Sequence, residues 1–271
     1  MAVSRAFSVF GLHTRLIGSG DDLTALLLGA AERSESGAME EGDVIIVAES
    51  AVATAEGREI RLSEVVPSSR AVELGRTYAM DPRLVEVIIR ESDAIVGGIP
   101  GFLLTLNNGT LLPNAGVDCS NTPVDCALPL PRDPDQSADR LRREIRERTG
   151  KKVGVIIADS RTHAMRLGCC GVAVACAGIP SVVDERGRTD LFGKELKVTR
   201  RAVADCIASA AELVMGEADE SVPAALVRGV GLPMEDVCGV ATIDAAECLF
   251  MGVALHADPS VLHGKDKPGG S

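Results

Sequence analysis

Asn114-Ala115-Gly116-Val117-Asp118-Cys119-Ser120-Asn121 places a carboxylate, two amides and a hydroxyl around a glycine. The stretch follows an apolar run and precedes a proline-rich loop, so it reads as an acceptor-rich turn. A second acidic turn, Ala158-Asp159-Ser160, closes the strand-like run Val153-Gly154-Val155-Ile156-Ile157. Asp residues at the mouths of two apolar segments suit magnesium or manganese, which take oxygen ligands and keep waters. The same residues also suit ordinary Asx-turns that end strands.

Composition narrows the function classes. With 271 residues, 46% of them apolar, the chain can bury a large core in one domain or two lobes. There is no Trp, one Tyr and five Phe, too few aromatic rings for base stacking. The formal net charge of −11 opposes a nucleic-acid partner, which needs a basic surface. A small anion would need a local cluster of Arg, backbone amides or metal. The eight cysteines include no CxxC pair and no zinc spacing. Most lie among Ala, Val and Gly, where a thiol is expected to pack as a small hydrophobe, Cys169-Cys170 included. No signal-type start and no run of transmembrane length is read, which points to the cytoplasm and to no membrane partner.

Along the chain, Phe7 to Thr14 reads as a strand and turn, and Asp22 opens a helix with Leu23, Leu26, Leu27 and Ala30 on one face. Glu41-Gly42-Asp43 is a turn, and Val44 to Ala48 a strand buried on both faces. Ser63 to Met80 and Leu84 to Glu91 carry helical patterns. Asn107-Asn108-Gly109, between Phe102–Leu106 and Thr110–Leu112, is the strongest hairpin signal. Ser137 is expected to cap a helix over Ala138 to Arg148, ended by Gly150. Its arginines alternate with Glu144 and Glu147 as a solvated face. A long helix is expected over Thr199 to Met215, and a closing strand over Ala224 to Gly229. One domain over 1–262 and a disordered polar tail over 263–271 complete the expectation.

No GxxxxGK[ST] occurs, and Gly97-Gly98-Ile99-Pro100-Gly101 lacks the helix that a dinucleotide fingerprint needs. His13, His163, His256 and His263 form no ligand pair. Arg161 and Arg166 are candidates for a bidentate grip on an anionic substrate, and His163 is a candidate for proton transfer.

Several of these segments together resemble the coenzyme F420-0:L-glutamate ligases, which add glutamate to a deazaflavin precursor through a gamma-linked amide. Asn114 to Asn121 looks like that family's most specific motif. Leu130-Pro131-Arg132-Asp133-Pro134-Asp135, Gly154 to Ser160, Ala210 to Gly216, Val227-Arg228-Gly229, Gly20-Asp21-Asp22 and Ala55-Glu56-Gly57-Arg58 match in order. The resemblance implies an α+β fold of mixed sheets and packed helices, assembled as an intertwined homodimer. It also implies a GTP-dependent amide ligase using two Mg2+ or Mn2+ ions, with L-glutamate and an F420-0-like precursor as substrates. By position, Asp118 and Asp159 would bind the first cation, and Ser160 and Glu217 the second. Asn121, Glu217 and the turn Gly11-Leu12-His13-Thr14 would contact the nucleotide.

The departures are specific. Ser50 and Thr54 stand where the family pattern carries two lysines, and Arg161-Thr162-His163-Ala164-Met165-Arg166 replaces its Gly-Arg-Pro-Trp-Arg. They leave open a ligase of the same fold with another acceptor or nucleotide, or a catalytically silent cofactor-binding paralogue.

Overall fold

The computed structural model describes residues 6–254; the expected tail over 263–271, His256 and His263 lie outside the described residues. In chain order the main elements are β1 (Ser8–Leu12), α1 (Leu23–Arg33), β2 (Val44–Ala48), α2 (Glu49–Ala55), β3 (Ile60–Arg61), α3 (Ser69–Thr77) and α4 (Pro82–Glu91). Next come β4 (Ala94–Ile99), β5 (Phe102–Asn107), β6 (Thr110–Pro113), β7 (Cys126–Ala127), α5 (Pro134–Thr149), β8 (Gly154–Thr162) and β9 (Cys169–Ala177). β10 (Val182–Asp184), β11 (Arg200–Ala202), α6 (Val203–Met215) and β12 (Ala224–Arg228) follow. The architecture is α+β, with mixed sheets and packed helices.

The central sheet has the order β1-β12-β2-β8-β9. Only β2 and β8 run parallel, with Val44 opposite Gly154 and Ala48 opposite Ala158. Alternate residues of β2 enter different cores. Ile45 and Val47 pack with Leu27 of α1 and with Leu141 and Ile145 of α5. Val44 and Ile46 pack with Ile207, Ala208 and Ala211 of α6. Both faces are covered, which is why the strand is apolar throughout instead of alternating. A third cluster joins α3 and α4 to β5 and to Ala115 and Val117.

Several expected boundaries move, each for a local reason. Ala158-Asp159-Ser160 is not a terminal turn: β8 continues to Thr162 against β9, with a register shift between Ile157 and Ala158. That irregularity sits at the polar end of the strand, where bulges commonly re-aim side chains. The helix expected from Ser63 begins only at Ser69, because Pro67 removes a backbone donor and disfavours helix before it. α5 begins a turn earlier than expected, at Pro134, capped by Asp133 whose Oδ1 accepts from Gln136 N (3.0 Å). Ser137 is instead buried, its hydroxyl donating to Glu56. Thr199 to Ala202 is not helix: β11 pairs there with β10, and α6 starts at Val203. The last strand, β12, closes the sheet from within, between β1 and β2. The cysteines also depart from expectation. Cys126 and Cys176 are buried, whereas Cys119, Cys169, Cys170, Cys206 and Cys238 are exposed; neighbouring small residues do not decide which thiols are covered.

Candidate active site

The hairpin β5–β6 delivers the chain into a turn with three consecutive left-handed residues, Asn114, Ala115 and Gly116 (φ 51°, 56° and 71°). Two side chains hold it. Asn114 Oδ1 accepts from Leu103 N (2.9 Å), and the buried Thr105 hydroxyl accepts from Ala115 N (2.9 Å). Gly116 is required sterically as well as conformationally, because a Cβ would meet the Leu130 side chain at 2.7–2.9 Å. Beyond the turn, Asp118 is pinned by two backbone bonds to Leu128 (3.0 and 2.8 Å). Its Oδ1 accepts from Cys119 N and Ser120 N (2.7 and 2.8 Å), and the Ser120 hydroxyl donates to Oδ2. The carboxylate is therefore an Asx-turn and is also held in a fixed orientation at a cavity wall.

That cavity has a volume of about 770 Å³ and is bounded by the carboxyl ends of the parallel pair β2 and β8. This size is typical of small-molecule sites. Asp118, Asn121, Asp159, Ser160, Glu217 and Thr14 all line it, although they come from four separate segments. The Asn121 amide donates to Ala218 O (3.1 Å), tying the Asp118 loop to the loop after α6.

The remaining sequence candidates sit elsewhere. Gly11 and Leu12 lie within β1, and Leu12 is fully buried, so its side chain serves the core. His13 is exposed beside the cavity wall. Arg161 is nearly buried and its Nε donates to Asp159 Oδ2 (3.0 Å), so the guanidinium orients a carboxylate within the protein. His163 and Arg166 occupy the exposed connection from β8 to β9, outside the cavity lining. The His163 ring meets Phe250 edge-on, with centroids 5.6 Å apart.

Of the cavity's acidic residues missed from sequence, two carry strongly raised carboxyls. Glu49 is the first residue of α2, directly after β2. Because Ala48 pairs with Ala158, the parallel register sets Glu49 beside Asp159. The signal was present: Val44-Ile45-Ile46-Val47-Ala48-Glu49-Ser50 repeats the pattern of Val155-Ile156-Ile157-Ala158-Asp159-Ser160. Burial, reinforced by Asp159 and Asp118, pushes the Glu49 carboxyl up to about 8. Burial also raises Asp159, against the opposing pull of Arg161. The second missed residue is Glu212, on α6. Gly171 of β9 lets that helix approach, since a Cβ there would lie 2.5 Å from Ala208 O and 2.9 Å from Glu212 Oε2. Burial and the neighbouring Glu217 raise the Glu212 carboxyl to about 7.

The donor set fits hard divalent cations. Glu49, Asp118 and Asp159 offer oxygens that repel one another without a positive charge between them. Glu212 Oε2 is buried with no hydrogen-bond partner, and a buried unpaired oxygen is costly. One ligand atom each from Cys169, Glu212 and Glu217 lie within 4.8 Å of one another. The cavity's sole cationic side chain among the described residues is Arg15.

The family model for F420-0:gamma-glutamyl ligase matches residues 11–229. The chain belongs to that family. It is 46% identical over 222 residues to the coenzyme F420:L-glutamate ligase of Methanopyrus kandleri, covering 82% of this chain and 86% of the relative. The corresponding enzyme of Methanothermobacter thermautotrophicus is 43% identical, covering 79% and 85%. That of Archaeoglobus fulgidus is 41% identical, covering 84% and 89%. The matched span holds every cavity-lining segment of this F420-0:gamma-glutamyl ligase family member, from Thr14 to Pro223.

Proposed function

We propose that this chain is a coenzyme F420:L-glutamate ligase that joins L-glutamate to F420-0 through a gamma-linked amide at the expense of GTP. The observation that carries the reading is the convergence of Glu49, Asp118, Asp159, Glu212 and Glu217 on one cavity whose only cationic side chain, among the described residues, is Arg15. A triphosphate cannot enter such a field without added positive charge. Asp118, Asp159 and Glu49 would hold one Mg2+ or Mn2+, and Ser160, Glu217 and Glu212 a second. When bound, the ions supply charge neutralisation to the transferring phosphoryl group.

Amide formation at neutral pH needs an activated acyl group. The acceptor carboxylate takes the terminal phosphoryl group of GTP, giving an acyl phosphate and GDP. The amine then attacks the acyl carbon, phosphate leaves, and the nitrogen loses a proton. The protein's part is to hold the two reactants in line and keep water from the acyl phosphate. The fixed Asp118 loop, latched through Asn121 to Ala218, forms one wall of that enclosure.

Assembly as a homodimer in the cytoplasm belongs to the same reading. It is supported by the projecting segment between β10 and β11, which exposes Leu191, Phe192 and Val198 almost fully. Apolar groups clustered on an extended arm are costly in water and favour burial against another surface.

The test is release of GDP and phosphate that requires both F420-0 and glutamate. Asp118→Asn should lower turnover by about 100-fold or more while leaving the fold intact, since one charged ligand is lost. Full GTP turnover by this variant, or turnover indifferent to chelator, would sink the two-cation reading. The replacement of lysines by Ser50 and Thr54 makes a panel of ATP, GTP and polyphosphate donors the natural companion assay.

A further inference from the structure

Arg15 has no role in the reading above, yet its position is distinctive. It lies on the loop between β1 and α1, and Thr14, Gly18 and Ser19 of that loop line the cavity with it. Ser50 and Thr54, the positions that lack the expected lysines, line the same cavity from α2. The loop is fastened directly to that helix: Gly20 N donates to Ala55 O (2.9 Å). A Cβ on Gly57 would lie 2.7 Å from Ser19 Oγ, so glycine there leaves room for the Ser19 side chain of the loop.

The guanidinium is also preoriented. Arg15 Nη1 donates to Asp21 Oδ2 (2.7 Å) and to Leu16 O (2.7 Å), and Nη2 donates to Asp21 Oδ1 (2.8 Å). Asp21 is itself held by Gly18 N (2.7 Å). A guanidinium carries five N–H donors. Three are used here, which leaves Nε and the second Nη2 hydrogen without a protein partner among the described residues. The side chain remains more than half exposed. A planar, permanently charged group with two unspent donors suits phosphate oxygens better than it suits a neutral ligand.

We propose that Arg15 is a nucleotide-binding residue that contacts the triphosphate, supplying from the β1–α1 loop the positive charge that α2 lacks at Ser50 and Thr54. The proposal rests on the ligase reading with GTP as phosphate donor. Asp21 is then a positioning residue, keeping the guanidinium fork aimed across the cavity mouth instead of sweeping through solvent.

The experiment is binding of a fluorescent GTP analogue in the presence of Mn2+, alongside KM values for GTP, glutamate and F420-0. Arg15→Ala should weaken nucleotide binding and raise KM for GTP about tenfold or more, the loss expected for a charge-assisted bond. KM for glutamate and F420-0 should change less than twofold. Arg15→Lys should recover part of the loss, because charge returns without the fork. An unchanged KM for GTP in Arg15→Ala, or a rise confined to F420-0, would overturn the assignment while the ligase reading stands. A parent protein that neither binds GTP nor turns over would overturn both. The residue is on a solvent-exposed loop, and a melting temperature equal to the parent's shows that the variant is folded.

Discussion

At the scale of single residues, the site is a problem of like charges. Glu49 ordinarily ionises near 4.5 and is pushed up to about 8 by burial, then by Asp159 and Asp118. A carboxyl raised in the folded state binds protons there that the unfolded chain has already lost. Its stabilising contribution is present below about 4.5 and disappears as pH rises through about 8. In chelator, the melting temperature should therefore fall by several degrees between pH 5.5 and 8.5. Glu49→Gln should flatten that slope, and Mn2+ should reverse it by favouring the ionised form. A Glu49→Gln protein whose melting curve keeps the parent's pH dependence would mean that Glu49 does not carry it. Glu49 was readable in principle, since Ala48-Glu49-Ser50 echoes Ala158-Asp159-Ser160. It was missed because an acid at the start of a helix has an ordinary explanation as a first-turn residue.

At the scale of elements, the turn Asn114–Gly116 shows how local backbone conformation positions chemistry. Left-handed Asn and Gly are common, but left-handed Ala115 is strained and persists because Thr105 and the third core hold it. Gly116→Ala adds a Cβ in a left-handed conformation and presses it into Leu130. It should destabilise the protein by about 1–3 kcal/mol in chemical denaturation and weaken metal binding at Asp118. A loss below half a kcal/mol would show that the turn relaxes freely. The hairpin leading into this turn was legible from Asn107-Asn108-Gly109, because turn chemistry is local. The extension of β8 through Asp159 to Thr162 was not, because it depends on backbone pairing with β9 across a surface connection, Asp159 with Val172 and Thr162 with Cys169. The arginines were likewise ambiguous: Arg161 looked free to grip a substrate and is instead paired with Asp159.

At the scale of the whole molecule, one cavity draws its walls from the β1–α1 loop, the end of β2, α2, β8, α6 and the loop after β6. The exposed Leu191 and Phe192 belong to this scale too. For the proposed homodimer, replacing both with Asp should lower the sedimentation coefficient to that of a monomer; a parent protein that already sediments as a monomer would overturn the dimer, and a dimer unchanged by the replacement would overturn this contact. By itself the sequence determined the buried strands β2, β8 and β12, most helices, the hairpin and the two acidic motifs, all of which follow from short-range periodicity, capping and turn chemistry, whereas β9 read only as a small-residue stretch. Family membership was also legible there, because those motifs occur in one order. Only the tertiary structure decided that Glu49 and Glu212 join Asp118 and Asp159, that Arg161 is already engaged, and that Arg15 is the cavity's one cationic side chain among the described residues. The physical reason is common to all three. Electrostatic fields and shared burial act between residues brought together by sheet register and helix packing; the echo at Ala48-Glu49-Ser50 is visible in the chain, but which groups face one another is not.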